Sequence, residues 1–337
     1  MATPCTQFGS TSEVALYYAV EPTATTTDLA TATLTLYQVP MTGESLDAAL
    51  TSAVSEQITS QRSYAGSKLV QGEVTGAFSY EMQAGAFFYD MLIAVLQANK
   101  TMAASGSTNW AAASAIKNGS TKHCLAFVKR VQVGTNSYDW YIFRGCQIGS
   151  LSAEIQPNSL ITGSINVMGV RPQAPIEASA KPAGWTLTDA PVLGLMSGVD
   201  SLQGFAISSG GTPTGVTMQN ISFTIENQLR QQPAVGLGHP FAAGVASGRL
   251  SVKFSGSAYY ANPTIFEAFL DDDTLEIEGS LLDAAGNGIS FECGTVKVTA
   301  GSIPMASAPD QDLLISSEFQ AFEDATTGTI SITKIAA

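Results

Sequence analysis

Apolar and polar residues alternate with a period of two over much of the chain. In GRLSVKFSGSAYY, Leu250, Val252 and Phe254 alternate with Arg249, Ser251, Lys253 and Ser255, the pattern of an antiparallel strand with one buried and one wet face. Ile221, Phe223 and Ile225 repeat it in NISFTIEN. So do Ile161, Ile165 and Val167 in LITGSINVMGV, where Gly163 leaves a gap in the apolar file. Two segments switch to helical spacing. In NPTIFEAFLDDD, Asn262 suits an N-cap, Pro263 is tolerated in the first turn, and Ile265, Phe266, Phe269 and Leu270 share one face. In GAFFYDMLIAVLQ, Phe87, Phe88, Met91, Leu92, Val95 and Leu96 do the same. The pattern predicts a mainly β chain with two helices, each covering one face of a sheet. Hairpins are predicted around 134–137 and 283–288, where Gly and Asn favour positive φ.

The strand-then-helix unit occurs twice, as QGEVTGAFSYEMQAGAFFYDMLIAVL (71–96) and SGRLSVKFSGSAYYANPTIFEAFL (247–270). Gly72 aligns with Gly248 and Phe78-Ser79 with Phe254-Ser255 at an offset of 176, whereas LITGSI (160–165) aligns with LISSEF (314–319) at an offset of 154. The shortfall of 22 residues falls on QANKTMAASGSTNWAAASAIKNGS, an Ala/Ser-rich insertion at about 98–119 that the second half lacks. A duplication with one insertion accounts for both offsets. It divides the chain into a first unit at 1–170 with an N-terminal arm, a Pro-rich linker at 171–185, and a second unit at 186–337. Pro172, Pro175 and Pro182 are expected to break any regular element in that linker.

Composition then narrows the chemistry. With 45% of 337 residues hydrophobic, each unit can have its own core. Only 13% are charged and 31 are glycine, which makes a polar, weakly charged surface of the kind that meets other subunits. A net charge of −13 argues against a protein that grips phosphates. Cys5, Cys124, Cys146 and Cys293 form no CxxC pair and are too few for a disulfide scaffold, as expected in a reducing compartment. Cys124 and Cys146 come near each other across a hairpin and read as packing rather than a bridge. The first residues lack the basic and apolar regions of a signal peptide, and the longest apolar run, 91–96, is far short of the ~20 residues of a membrane span. A soluble chain with no membrane partner is expected.

No catalytic, cofactor-binding or metal constellation emerges. His123 and His239 have no metal-spaced partner and read as structural. Asp271, Asp272 and Asp273 end a helix and read as a solvated turn rather than a cation site. GNGIS and SSGGTPTG lack the Lys-Ser/Thr of a phosphate loop. An enzyme is disfavoured on these grounds.

Six further stretches recur in a recognisable order: MTGESL (41–46), VSEQITSQR (54–62), GEVTGAFSYEM (72–82), FRGCQIGSLSAEIQPNSLITGSINVMG (143–169), ISFTIENQLRQQPAVG (221–236) and DQDLLISSEFQAFEDATTGT (310–329). With them the chain resembles the tail tube proteins (major tail proteins) of long-tailed bacteriophages over nearly its whole length. The resemblance implies two tandem copies of an antiparallel β-sandwich or partial barrel, each with one flanking helix. It implies a virion structural protein, assembled in the host cytoplasm, whose sheets join edge to edge into rings that stack as the tail tube. A duplicated chain needs only three copies for a pseudo-sixfold ring. The implied partners are the protein itself, the tape measure, tail terminator and distal tail proteins, and viral DNA passing through without specific binding.

A conduit for DNA calls for a wall that does not hold phosphates, so acidic residues on polar strand faces are the candidate lining: Glu73, Glu81, Glu154, Glu226 and Glu318. Each also has the plainer reading of a solvated outer-face charge. The long polar segments 51–70 and 227–248 are candidate ring-to-ring contacts, with Gln61, Arg62, Lys68, Arg230, Gln231 and His239 the residues of interest. The strand containing Val252 is a candidate outer strand pairing between subunits. Two other readings stay open: a carbohydrate-binding or adhesin-like β-sandwich module using Trp110, Trp140 and Trp185, and a ring protein of a contractile secretion apparatus.

Overall fold

The structure, a computed structural model, describes residues 14–21, 28–57, 63–64, 66–105, 110–134, 137–178, 180–301 and 312–336. It is mainly β, with two short helices and one large mixed sheet. In chain order the first half contains β1 (Val14–Val20), β2 (Leu34–Gln38), β3 (Gly43–Glu44), β4 (Asp47–Val54), β5 (Ser67–Glu81) and helix α1 (Ala86–Val95). Then follow β6 (Ala115–Lys117), β7 (Leu125–Gly134), β8 (Ser137–Ile155) and β9 (Thr162–Gly169). β10 (Arg171–Ala178) and β11 (Trp185–Thr188) lead to β12 (Leu202–Ser209), β13 (Thr212–Pro213), β14 (Thr217–Glu226), β15 (Arg230–Gln232) and β16 (Gly244–Ala246). The chain ends with β17 (Ser251–Tyr259), α2 (Thr264–Leu270), β18 (Leu275–Leu282), β19 (Gly288–Gly301), β20 (Leu314–Ala321) and β21 (Ser331–Ile335).

One antiparallel run crosses both halves. β3 and β4 pair with β5, which pairs with β9; next come β8, β14, β17, β20 and β19. A second set of strands packs against it: β2, β1, β7, β8 and β10, with β11 added parallel to β2, and in the second half β12, β18, β19, β21 and β6. β8 and β19 belong to both sets. Their length lets one strand turn the corner between layers. In β8 the turn falls at Gly145, whose φ of +62° suits glycine, and whose added Cβ would lie 2.6 Å from Val170 Cγ2. The buried Arg144 Nε donates to Glu21 Oε1 at 2.8 Å beside it, fixing the corner.

The layers meet in a core that runs through both halves. Phe78 of the first run lies 5.7 Å from Phe127 of the second, and Ile225, Phe254, Phe291 and Phe319 continue the same cluster. The two halves therefore share one main core instead of each enclosing its own. A smaller cluster sits in the first half around Trp140 and Trp185, whose rings meet edge to face at 5.5 Å. The gap left by Gly163 in the apolar file is filled by Tyr80. A Cβ there would lie 2.7 Å from that ring, and the Tyr80 hydroxyl donates to the Ser152 carbonyl at 3.0 Å.

Both predicted helices and both hairpins form. α1 is buried from Phe87 to Val95 on every side, whereas α2 buries only Ile265 and Ala268 and leaves Phe269 and Leu270 exposed. Two local expectations are corrected. Pro172 and Pro175 do not break regular structure: they lie in β10, which among the described residues pairs with β8 alone and is bulged between Gln173 and Ile176. On such an edge a missing N–H costs little. Val252 is not on an outer strand. It is fully buried and pairs with Ile225 on one side and Ala321 on the other.

The two halves use the same register. Glu44 faces Phe78 and Phe78 faces Ile165; Phe223 faces Phe254 and Phe254 faces Phe319. Asp47 faces Thr75 as Glu226 faces Ser251.

Candidate functional site: the polar face of the sheet

Directly opposed residues in a ladder share a face, so registers alone lay out the polar side of the long run. One row crosses it from Glu81 through Thr162, Glu154, Ser222 and Ser255 to Glu318 and Ala300. The next reads Ser79, Ser164, Ser152, Thr224, Lys253, Gln320 and Lys297. A third holds Ala77, Asn166, Ser150, Glu226 and Ser251. Small neutral residues dominate, and their hydroxyls largely bond one another. Ser152 and Ser164 Oγ atoms are 2.9 Å apart, Ser222 and Ser255 Oγ atoms 2.8 Å, and Asn166 Nδ2 donates to Ser150 Oγ at 2.6 Å. Hydroxyls engaged in this way offer few spare donors to a passing phosphate.

Four of the five acidic candidates, Glu81, Glu154, Glu226 and Glu318, thus lie on one face, three of them in one row. Glu73, two residues from Thr75 on β5, is on the same side but set apart: among the described residues it faces only Ala49, in the part of the β4–β5 hairpin that runs past β9. Asp47 lies on the same polar side, opposite Thr75, and sequence reasoning missed it. The signal was available, because Asp47 and Glu226 hold matching places in the two halves. Among the described residues, the basic ones in these three rows are Lys253 and Lys297, the latter ion-paired with Asp272.

The segments nominated for ring-to-ring contact come together at one end. β4 and the first part of β5 form an exposed arm on which Leu50, Val54, Leu69 and Val70 are each about half exposed and Lys68 faces Ala53. Arg230 and Gln231 lie on β15 in a small hairpin with β16. The loop closing that hairpin reaches the arm, where Gly72 N–H donates to the Pro240 carbonyl and Phe241 covers Gly72. His239 packs near Phe241, ring centroids 6.3 Å apart. Gln61 and Arg62 lie outside the described residues.

Elsewhere the chemistry is structural. His123 Nε2 is 2.8 Å from the Ala98 carbonyl, and Cys124, Cys146 and Cys293 are free thiols, Cys146 with its pKa pushed up by burial. Among the described residues no three His, Cys, Asp or Glu side chains gather to hold a metal ion, and no helix is long and apolar enough to cross a membrane. Trp110, Trp140 and Trp185 are all buried, so none is available to stack on a sugar. This removes one of the two features behind the carbohydrate-binding reading, the other being its polar Thr/Ser/Gly strands. Asp90, inside α1, accepts the Tyr18 hydroxyl at 3.0 Å and the Ala103 and Ala104 N–H groups at 2.7 and 2.9 Å. Burial raises its pKa despite these bonds.

None of the curated proteins matches the chain. Its sequence matches the phage tail tube protein family over residues 11–321, and the chain belongs to that family.

Proposed function

We propose that three copies of this chain close into a pseudo-sixfold ring, that rings stack into a tube, and that the polar face of the long sheet lines an electronegative conduit for DNA. As a phage tail tube protein the chain is a non-enzymatic structural component of the virion tail that assembles with itself and with other tail proteins. The observation that carries the finer reading is the single polar face running uninterrupted through both halves, from Glu81 to Glu318.

A tandem duplication underlies the stoichiometry. One offset of 176 relates β5 to β17 and one of 154 relates β9 to β20, and these reproduce every shared pair of the two ladders, from Gly76 with Val167 and Val252 with Ala321 to Glu81 with Thr162 and Ser257 with Ser316. A unit boundary within 171–185 fits these offsets. DNA presents one charge per ~1.7 Å of its axis, so a tube wall that bound phosphates would arrest it by summed weak contacts. A face of mutually bonded hydroxyls with Asp47, Glu81, Glu154, Glu226 and Glu318 against two lysines repels it instead. A two-stranded hairpin standing alone is marginally stable in water, and the arm's half-exposed Leu50, Val54, Leu69 and Val70 are well suited to pack on the adjoining ring. Lys68, Arg230, Gln231 and His239 belong to that same end. The tape measure protein within the lumen, and terminator and distal tail proteins at the tube ends, complete the set of partners.

Electron microscopy of assembled particles tests this reading: stacked rings of three copies with Glu154 and Glu318 facing the lumen are expected, and six copies per ring or an outward polar face would overturn it. In tubes carrying E154K, E226K and E318K together, DNA exit is expected to slow while tubes still form. Unchanged ejection would remove these residues from the wall.

A further inference from the structure

Inside one chain, the two halves are already joined edge to edge. β14 pairs antiparallel with β8 through Thr224 opposite Ser152, Ile225 opposite Leu151 and Glu226 opposite Ser150. The counterparts of these two edges sit at the two ends of the run. An offset of 179 carries β14 onto β3 and the start of β4: Phe223 onto Glu44, both opposite the matched Phe254 and Phe78, and Glu226 onto Asp47, opposite the matched Ser251 and Thr75. Ser150, Leu151 and Ser152, which face Asn166, Ile165 and Ser164, correspond to Lys297, Val298 and Ala300, which face Gln320, Phe319 and Glu318. Among the described residues, 43–47 pair only with β5 and 297–301 only with β20, so each strand has one border without a ladder. On the first, the Leu46 N–H donates to Glu44 Oε2 at 3.0 Å and its carbonyl accepts from Lys129 Nζ at 2.8 Å, side-chain bonds that an added strand would displace. Such borders are where another chain adds a strand.

Resting on the tube reading, we infer that residues 45–47 of one copy pair antiparallel with 297–300 of the next, in the register of the internal seam: Ser45 opposite Ala300, Leu46 opposite Val298, Asp47 opposite Lys297. Charge supports this register independently. The internal seam sets Glu226 against a neutral Ser150, whereas the joint between copies sets the carboxylate of Asp47 against the ammonium of Lys297, which already pairs with Asp272 of its own chain and would be shared between the two carboxylates, on the polar face, where opposite charges across a ladder are favourable. Leu46, buried beneath the sheet, meets Val298, also buried, so the core face runs on from copy to copy as Ile225 and Leu151 continue it within the chain. Thr299, the extra residue of a bulge, has no counterpart in the seam and gives the joint a bend of its own. Because the two borders differ, the contact is head to tail, and it closes into a ring when the rotation allows.

Cysteine pairs in assembled tubes test the register. With S45C and A300C in one chain, oxidation by copper phenanthroline should link copies covalently up to closed trimers, whereas D47C with A300C, two residues out of step, should stay unlinked. Equal linking of both pairs, or none in well-formed tubes, overturns the register. D47K, shown to be folded by circular dichroism, should cut the assembled fraction about fivefold or more, and D47K with K297D should restore it. A double variant that assembles no better than D47K overturns the ion pair. If the unaltered protein forms no rings, the tube reading itself fails, a result distinct from either.

Discussion

α1 and α2 follow matching strands, β5 and β17, but their surroundings differ. α1 is enclosed: Trp110 stands edge-on to Tyr89 at 5.6 Å, Asp90 holds two N–H groups of the turn at Ala103–Ser105, and Asn227 of the second half donates to the Val95 carbonyl at 2.7 Å. The chain then continues to β6, which pairs with β21 through Ile116 and Ile332, while Asn118 accepts the Thr329 N–H. α2 is followed at once by Asp271 to Thr274, and among the described residues nothing covers Leu270. The described residues of the Ala/Ser-rich segment thus seal one helix and clasp the first half to the outer strand of the second. The internal seam is held by β8 with β14 and again by β6 with β21. The second half passes from α2 to β18 with no such segment, so the proposed joint between copies lacks that second clasp. That difference suits a joint made only during assembly.

The sharpest way to break this comparison is at the clasp. Trp110→Ala should cost about 3–5 kcal/mol of stability, the range for truncating a buried aromatic, read from urea unfolding of the soluble chain. A loss under about 1 kcal/mol would show that the insertion does not hold α1. Asp90→Ala should cost about 2–3 kcal/mol, because the Tyr18 hydroxyl and two N–H groups lose their acceptor.

Asp90 also fixes a pH dependence. Its folded pKa is raised, so the folded chain disfavours the carboxylate relative to the unfolded one. Its contribution is fully present below the unfolded value of about 3.9 and is lost as pH rises through the raised value. Unfolding midpoints of the wild type relative to Asp90→Asn should therefore fall as pH rises through that window; a flat difference would contradict the sign. The smallest effect is expected at α2, where Phe269→Ala should change stability by less than about 1 kcal/mol. A cost matching that of Trp110→Ala would erase the contrast between the helices.

Some of this was legible in the sequence. Alternation in segments such as 249–255 and 221–225 reveals which face of a strand is buried, because side chains in a strand point to opposite sides in turn. That is why Glu154, Glu226 and Glu318 could be placed on a polar face before any pairing was known. The two helices and two hairpins were legible from spacing and turn residues alone. Alternation also puts Glu73 on that polar side, but it gives the face of a strand and not how far its neighbours extend along it, so it could not tell that Glu73 lies beyond the end of β9.

The sequence by itself determined the face of each strand and the polar, acidic character of the chain, since these depend on local periodicity and composition. Only the tertiary structure decided that β14 joins β8, that β6 crosses to β21, that Pro172 and Pro175 lie on a strand edge, and that the halves share one core. Those outcomes depend on which backbone borders find partners far along the chain, and a backbone N–H or C=O is the same for every residue but proline. No local pattern therefore records the choice.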